Sequence, residues 1–165
     1  MLFAVLLGGK HPQAKIEVHD MAFVVADSLE AAYPQLRQQW FGGPKGVHID
    51  AWMEIHGVER WKVDLSPLAP RPDDPRLYFI NLGGYDPRTF GEAHSYGLVV
   101  AHTIAEAKLK SRALAEAQWA GKHLDALMDV DDCLPIDEVS GRYVHLTEAA
   151  HDGVVWQNTY RVLPS

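Results

Sequence analysis

The apolar residues of this chain fall in short runs whose spacing switches from strand-like to helix-like and back, twice over. Leu2 to Leu7 is a continuous apolar run ended by Gly8-Gly9, and Met21 to Ala26 is a second. Both predict buried strands, with the paired glycines supplying a tight turn after the first. From Ser28, a natural helix cap, Leu29, Ala32, Tyr33, Leu36 and Trp40 recur at i, i+3, i+4, i+7 and i+11. That spacing predicts a helix with one buried face. Pro34 lies inside the stripe, where it loses a hydrogen bond and clashes with the previous turn, so the helix is kinked or begins near it. Next, His48, Asp50, Trp52 and Glu54 alternate with Ile49, Ala51, Met53 and Ile55. This predicts a third strand with an apolar face toward the helix and a His/Asp face away from it. Arg60 to Leu65 predicts a fourth.

The same order then recurs. Leu77 to Leu82 ends at Gly83-Gly84, Tyr96 to Ala101 follows, and Thr103 with Glu106 has capping-box spacing before a weaker stripe of Ile104, Ala107, Ser111 and Leu114. His123, Asp125, Leu127 and Asp129 alternate with Leu124, Ala126, Met128 and Val130, and Arg142 to Leu146 predicts the last strand of the set. Val154 to Leu163 predicts an extra closing strand with Trp156 and Tyr160 on one side. Shifted by 75 positions without a gap, residues 7–58 match residues 82–133 at 16 of 52 positions, where composition alone gives roughly 3. Among the matches are Gly8-Gly9 with Gly83-Gly84, Glu17 with Glu92, His19 with His94, His48 with His123 and Asp50 with Asp125. The expected fold is α+β: two pseudo-symmetric ββαββ repeats in one two-layer body, helices on one face of the sheet. The expected divisions are a first unit at 1–65, a linker at 66–75 with four prolines in ten residues, and a second unit at 76–165 with the extra strand. A unit of this size is marginal alone, so the halves are expected to share a core.

Composition narrows the functional classes. Fifteen Lys plus Arg against 22 Asp plus Glu give a net charge of −7, and the basic residues are not clustered in sequence. This argues against nucleic acid and anionic membranes as partners. The single cysteine, Cys133, cannot form an intrachain disulfide, and the apolar start is far shorter than the roughly 20 residues that span a bilayer. The cytoplasm is the expected compartment. Nine histidines in 165 residues are the compositional hint of chemistry.

Taken together, the two Gly-Gly loops, the Glu-x-His segments, WFG at 40–42, NLGGYDP at 81–87 and DVDDCL at 129–134 resemble the bacterial family known as domain of unknown function 1543. The resemblance covers nearly the whole chain. Members carry one or two copies of the domain, which the duplication here would imply, and the family has no established activity to transfer. The second copy lacks a Trp-Phe-Gly helix end, with Ala115-Glu116-Ala117 aligned there, so the two halves need not share one role.

The residues that suggest chemistry are Glu17, His19, His48 and Asp50, repeated as Glu92, His94, His123 and Asp125. An i, i+2 spacing in extended chain places two side chains on one side about 6 to 7 Å apart. Two such pairs on adjacent strands can surround a divalent ion, and an open coordination position can polarise a water. Neither H-E-x-x-H nor a Cys/His zinc spacing is present. The reading preferred from sequence is structural: these side chains hydrogen-bond the loops and the exposed strand face, ahead of a metal site or a metal-free acid/base pair. Gly-Gly without G-x-G-x-x-G or a following Lys reads as a turn rather than a phosphate cradle. Carboxylates beside Cys133 blunt it as a nucleophile, and Asp129 to Asp132 reads as a solvated strand end rather than a calcium loop.

Three functional readings follow. The first is a non-catalytic module that binds a ligand or partner through a face carrying Trp52, His48, Asp50, His123 and Asp125. The second is a metal-dependent hydrolase with Glu17, His19, His48 and Asp50 as ligands and Glu92, His94, His123 and Asp125 as a twin set, a divalent ion being the only cofactor in view. The third is a small interface protein of toxin or immunity type, which would expose an apolar patch around Trp52 or Trp156. A homo-oligomer is left open.

Overall fold

In a computed structural model, which describes residues 1–85, 88, 90–119 and 128–164, the first two apolar runs become strands β1 (Leu2–Gly9) and β2 (Val18–Val25). Ser28 Oγ accepts the Ala31 N–H at 3.1 Å. The chain then passes through a 3-10 turn at Glu30–Ala32 into α1 (Tyr33–Gln39). Pro34 sits in the first turn of α1, where its missing N–H costs nothing because first-turn donors lack intrahelical partners. Strand β3 (His48–Ile55) and the hairpin β4 (Gly57–Val58) with β5 (Trp61–Ser66) complete this half. After the Pro-rich connector come β6 (Arg76–Tyr85), β7 (Glu92–Ala101), α2 (Ile104–Trp119), β8 (Met128–Pro135), β9 (Glu138–Val139), β10 (Arg142–Glu148) and β11 (Val154–Val162). At the start of α2, Thr103 Oγ1 accepts the Glu106 N–H at 3.2 Å, and Glu106 returns a carboxylate to the His102 N–H at 2.9 Å.

The architecture is α+β, but among the described residues the strands form three sheets rather than one, in the orders β11-β3-β1-β2, β4-β5-β10-β9 and β7-β6-β8. Each sheet is antiparallel. One core lies under α1, where Phe3, Val5, Leu7, Val24 and Ile49 meet Leu36 and Trp40. A second lies under α2, where Ile80, Leu82 and Val99 meet Ala107 and Ala115. The third joins the three sheets through Leu2, Ala4, Ile55, Leu77, Phe79, Val139 and Val144. Sequence halves are not spatial halves: β11 hydrogen-bonds to β3, and β10 to β5.

Three sequence expectations are corrected. Gly8-Gly9 and Gly83-Gly84 do not make turns; each pair continues its strand, and none of the four has positive φ. Gly8 and Gly9 are glycines for want of space, since a Cβ on Gly8 would fall on Asp50 Oδ2 and one on Gly9 would come within 2.9 Å of the Trp40 ring. The alternation in β3 does not run unbroken, because Leu7 pairs with Ile49 and Leu6 with Ala51, leaving Asp50 as a bulge. That extra residue reverses the faces, so Ile49 packs toward α1 and Ile55 into the central core. Finally, the strand placed at residues 123–130 is β8, at Met128–Pro135. His123 and Asp125 lie outside the described residues. Asp129 to Asp132, expected at a solvated strand end, occupy the first part of β8, with Asp131 and Asp132 exposed.

Candidate metal centre

Gly8 occupies the second strand from one edge of its sheet and pairs on one side with His19 of β2 and on the other with His48 of β3. Strands lie about 4.8 Å apart, so two imidazoles flanking an ordinary residue would be held off by its side chain. Over glycine they lean inward. The bulge then turns Asp50 into the same space; bulges re-aim side chains in this way. Glu17 enters from the segment just before β2. His19 Nε2 lies 3.5 Å from Glu17 Oε1 and 3.1 Å from Asp50 Oδ2, while His48 Nε2 lies 3.5 Å from Glu17 Oε1 and 3.4 Å from Asp50 Oδ1. One ligand atom each from Glu17, His48 and Asp50 all lie within 4.8 Å of one another, and His19 adjoins two of these residues.

His48 decides what such a cluster can do. Its side chain is 1% exposed, and Nδ1 is 2.8 Å from the Gly46 carbonyl oxygen. A carbonyl only accepts, so Nδ1 carries a proton, and in the neutral ring Nε2 then presents a lone pair. Nε2 is buried and makes no hydrogen bond, as is Asp50 Oδ2. A lone pair aimed at carboxylate oxygens is unfavourable unless a cation lies between them. The Tyr160 ring of β11 covers the His48 ring at 4.4 Å between centroids. Sequence gave no sign of this contact, which depends on a strand from the far end of the chain.

Gly83, Glu92 and His94 repeat this layout on β6 and β7. Gly83 pairs with His94 and with Asp129, and Asp131 bulges between Val130 and Asp132. One ligand atom each from Glu92, His94 and Asp131 lie within 4.8 Å of one another, with His94 Nδ1 at 3.3 Å from Asp131 Oδ2. All three are exposed. The ungapped offset pointed to Asp125 rather than Asp131, because α2 has 16 residues where the 3-10 turn and α1 together have ten, six fewer. The loss of Trp-Phe-Gly at the second helix end was the available signal.

Elsewhere, histidines that the sequence did not single out hydrogen-bond backbone carbonyls. His102 Nδ1 reaches the Asp73 carbonyl at 3.1 Å, His145 Nε2 that of Leu68 at 2.6 Å, and His151 Nε2 that of Glu59 at 3.2 Å. Trp52 does not share the face of His48 and Asp50. It packs against the core under α1, edge-on to Phe3 at 6.4 Å. Burial, rather than the neighbouring carboxylates, raises the Cys133 thiol above its ordinary range, with Lys108 opposing.

A family model described as Domain of Unknown Function (DUF1543) matches residues 14–65. The crystal structure of a protein Il1583 from Idiomarina loihiensis is similar with a TM-score of 0.74 at 33% identity, over 99% of this chain and 98% of that one. No curated protein matches the chain. Among the described residues no helix is long and apolar enough to cross a membrane.

Proposed function

We propose that this chain, whose residues 14–65 match DUF1543, is a divalent-metal-binding protein whose ion is held by Glu17, His48 and Asp50, with His19 as the fourth donor. The observation that carries this is the buried, unpaired Nε2 of His48 aimed at two carboxylates, with its tautomer fixed by Gly46. Metal-bound histidines are characteristically oriented in this way, by a carbonyl on the other ring nitrogen. The separations of His48 Nε2 from Glu17 Oε1 and from Asp50 Oδ1, 3.5 and 3.4 Å, suit a four-coordinate ion, for which bonds of about 2.0–2.1 Å set the ligand atoms about 3.3–3.4 Å apart, and His19 Nε2 lies 3.1 Å from the other Asp50 oxygen. Two nitrogen and two oxygen donors favour Zn²⁺ or Mn²⁺ over Ca²⁺.

The half-exposed side chains of Glu17 and His19 favour a second, finer reading. A water can add to the ion as a fifth ligand from the solvent side, and lowering its pKa makes it a nucleophile, so metal-dependent hydrolysis is the reaction class attached to the site.

The chain is also proposed to be a duplication with a gap. An offset of 75 relates Gly8 to Gly83 and His19 to His94; after the helices an offset of 81 relates Asp50 to Asp131. Support comes from the two hairpins, where Glu59 and Ser140 both have positive φ, at 57° and 53°. In the same hairpins Val63 N–H donates to His56 O at 2.8 Å, and Val144 N–H to Asp137 O at 2.9 Å. On this reading Glu92, His94 and Asp131 are the weaker twin of the first site.

The test is elemental analysis of untagged protein, alongside His48→Ala and Asp50→Asn variants that keep the wild-type circular dichroism. Near-stoichiometric metal lost in both variants is the expected result. A wild-type chain that holds no metal after incubation with Zn²⁺ or Mn²⁺ would overturn the reading.

A further inference from the structure

The face of β1 that carries Gly8 continues into a cavity of ≈430 Å³ between the first sheet and β7. Its walls include Leu6, Met21, Ala51 and Met53 on one side, Tyr96 on the other, and Trp156 of β11. The relation to the candidate centre follows from register. Leu6 pairs with Met21 and with Ala51, one same-face step along from Gly8, which pairs with His19 and His48. One such step is about 7 Å, so the cavity begins where the cluster ends. Burial alone raises the Tyr96 phenol above its usual range, in keeping with a wall that water reaches poorly.

A void of this size fits the range of small-molecule sites, which are mostly apolar with a few polar groups placed to fix orientation. It is about three times the ~150 Å³ that holds one benzene ring in an apolar protein cavity. Aromatic and Met walls suit a flat ring system, the thioethers adapting to its edge. At the cluster end, two carboxylates and two neutral imidazoles around a divalent ion have no net charge, so an oxygen donor, neutral or anionic, can add as a fifth ligand.

We propose that the site takes a small molecule with a flat apolar body, lodged between Met21, Ala51, Met53 and Tyr96, and an oxygen-donor head bound to the ion. This rests on the metal reading above. The ion supplies the anchor and the cavity supplies selection by size and shape. A polar donor without a ring body therefore binds at the same ion but gains nothing from the cavity.

The probes are 2-naphthohydroxamic acid, which has both parts, and acetohydroxamic acid, which has only the head. Binding to zinc-loaded protein is measured by titration calorimetry, with zinc stoichiometry determined separately on the same samples. The naphthyl probe is expected to bind at least tenfold tighter than the acetyl one, and at least tenfold tighter to zinc-loaded than to metal-free protein. Ala51→Phe, which fills the cavity from β3, should abolish the first preference and leave zinc stoichiometry unchanged. Trp156→Ala, at an exposed position on β11 beside Met53, should reduce that preference even if the Ala51 variant folds poorly. Full zinc occupancy with equal affinity for the two probes overturns this inference alone. Failure of the wild-type chain to hold zinc overturns it together with the metal reading.

Discussion

Gly8→Ala is the substitution that bears most directly on the metal reading, because the space it fills is the space the ligands share. A Cβ there would overlap Asp50 Oδ2 and come 2.6 Å from His48 Nε2 and 3.2 Å from His19 Cδ2. In metal-free protein, overpacking of this kind costs about 1–3 kcal/mol, offset by about 0.5–1 kcal/mol from the lower unfolded-state entropy of alanine. The net loss is modest and the protein stays folded. The effect on zinc is larger in proportion, since displacing groups that orient a ligand typically costs about 10–100-fold in affinity. With free zinc at 100 times the wild-type Kd, binding stabilises the wild type by about 2.7 kcal/mol, whereas a tenfold weaker site gains about 1.4 kcal/mol. At about 2–4 °C per kcal/mol for a domain of this size, the zinc-dependent rise in Tm falls from about 5–11 °C to about 3–6 °C. Differential scanning calorimetry with and without zinc measures it. Gly9→Ala is the control, since its Cβ would meet the Trp40 ring at 2.9 Å rather than the cluster; it should lower Tm and leave the zinc increment intact. An unchanged increment in Gly8→Ala would refute the convergence of ligands over this glycine.

Phe79 stacks on Tyr96 and meets Phe23 edge-on, at 5.6 and 5.4 Å between centroids, so it joins two sheets; Phe79→Ala should cost about 3–5 kcal/mol in urea unfolding, and a loss under 1 kcal/mol would show that the central core does not hold them together. Asp64 is held below the usual carboxylate range first by Lys62 and also by Thr147. A depressed folded-state pKa contributes stability that is present above the unfolded value and lost as pH falls through the folded one, so Asp64→Asn should lower the urea midpoint at pH 6 and converge on the wild type toward pH 3. A constant difference across that range would count against the ion pair. Cys133, raised by burial, should react slowly with an aromatic disulfide reagent at pH 8 and rapidly once urea unfolds the chain, and rapid native reaction would place the thiol outside the core under α2.

Much of the candidate site was legible because its members are local in sequence. Glu17 with His19, His48 with Asp50 and Glu92 with His94 announce themselves by i, i+2 spacing and by recurrence. The double glycines were visible too, but their meaning was not. A turn and a close approach both demand glycine, and only the overlap of a Gly8 Cβ with Asp50 separates the two. Asp131 was hidden by arithmetic, since an ungapped offset carries Asp50 to Asp125 once a longer helix intervenes.

What the sequence by itself determined was the order and type of elements: strands where apolar runs or alternation demand them, and helical segments following the caps Ser28 and Thr103, with the first either kinked at Pro34 or begun near it. These are set by interactions within a few residues, which the local pattern records. What only the tertiary structure decided was which strands pair and which way each side chain faces. A bulge at Asp50 reverses the face of the rest of β3, and β11 crosses from the end of the chain to lay Tyr160 over His48. Pairing between residues a hundred positions apart is set by how three sheets bury one core, and no local pattern carries that information.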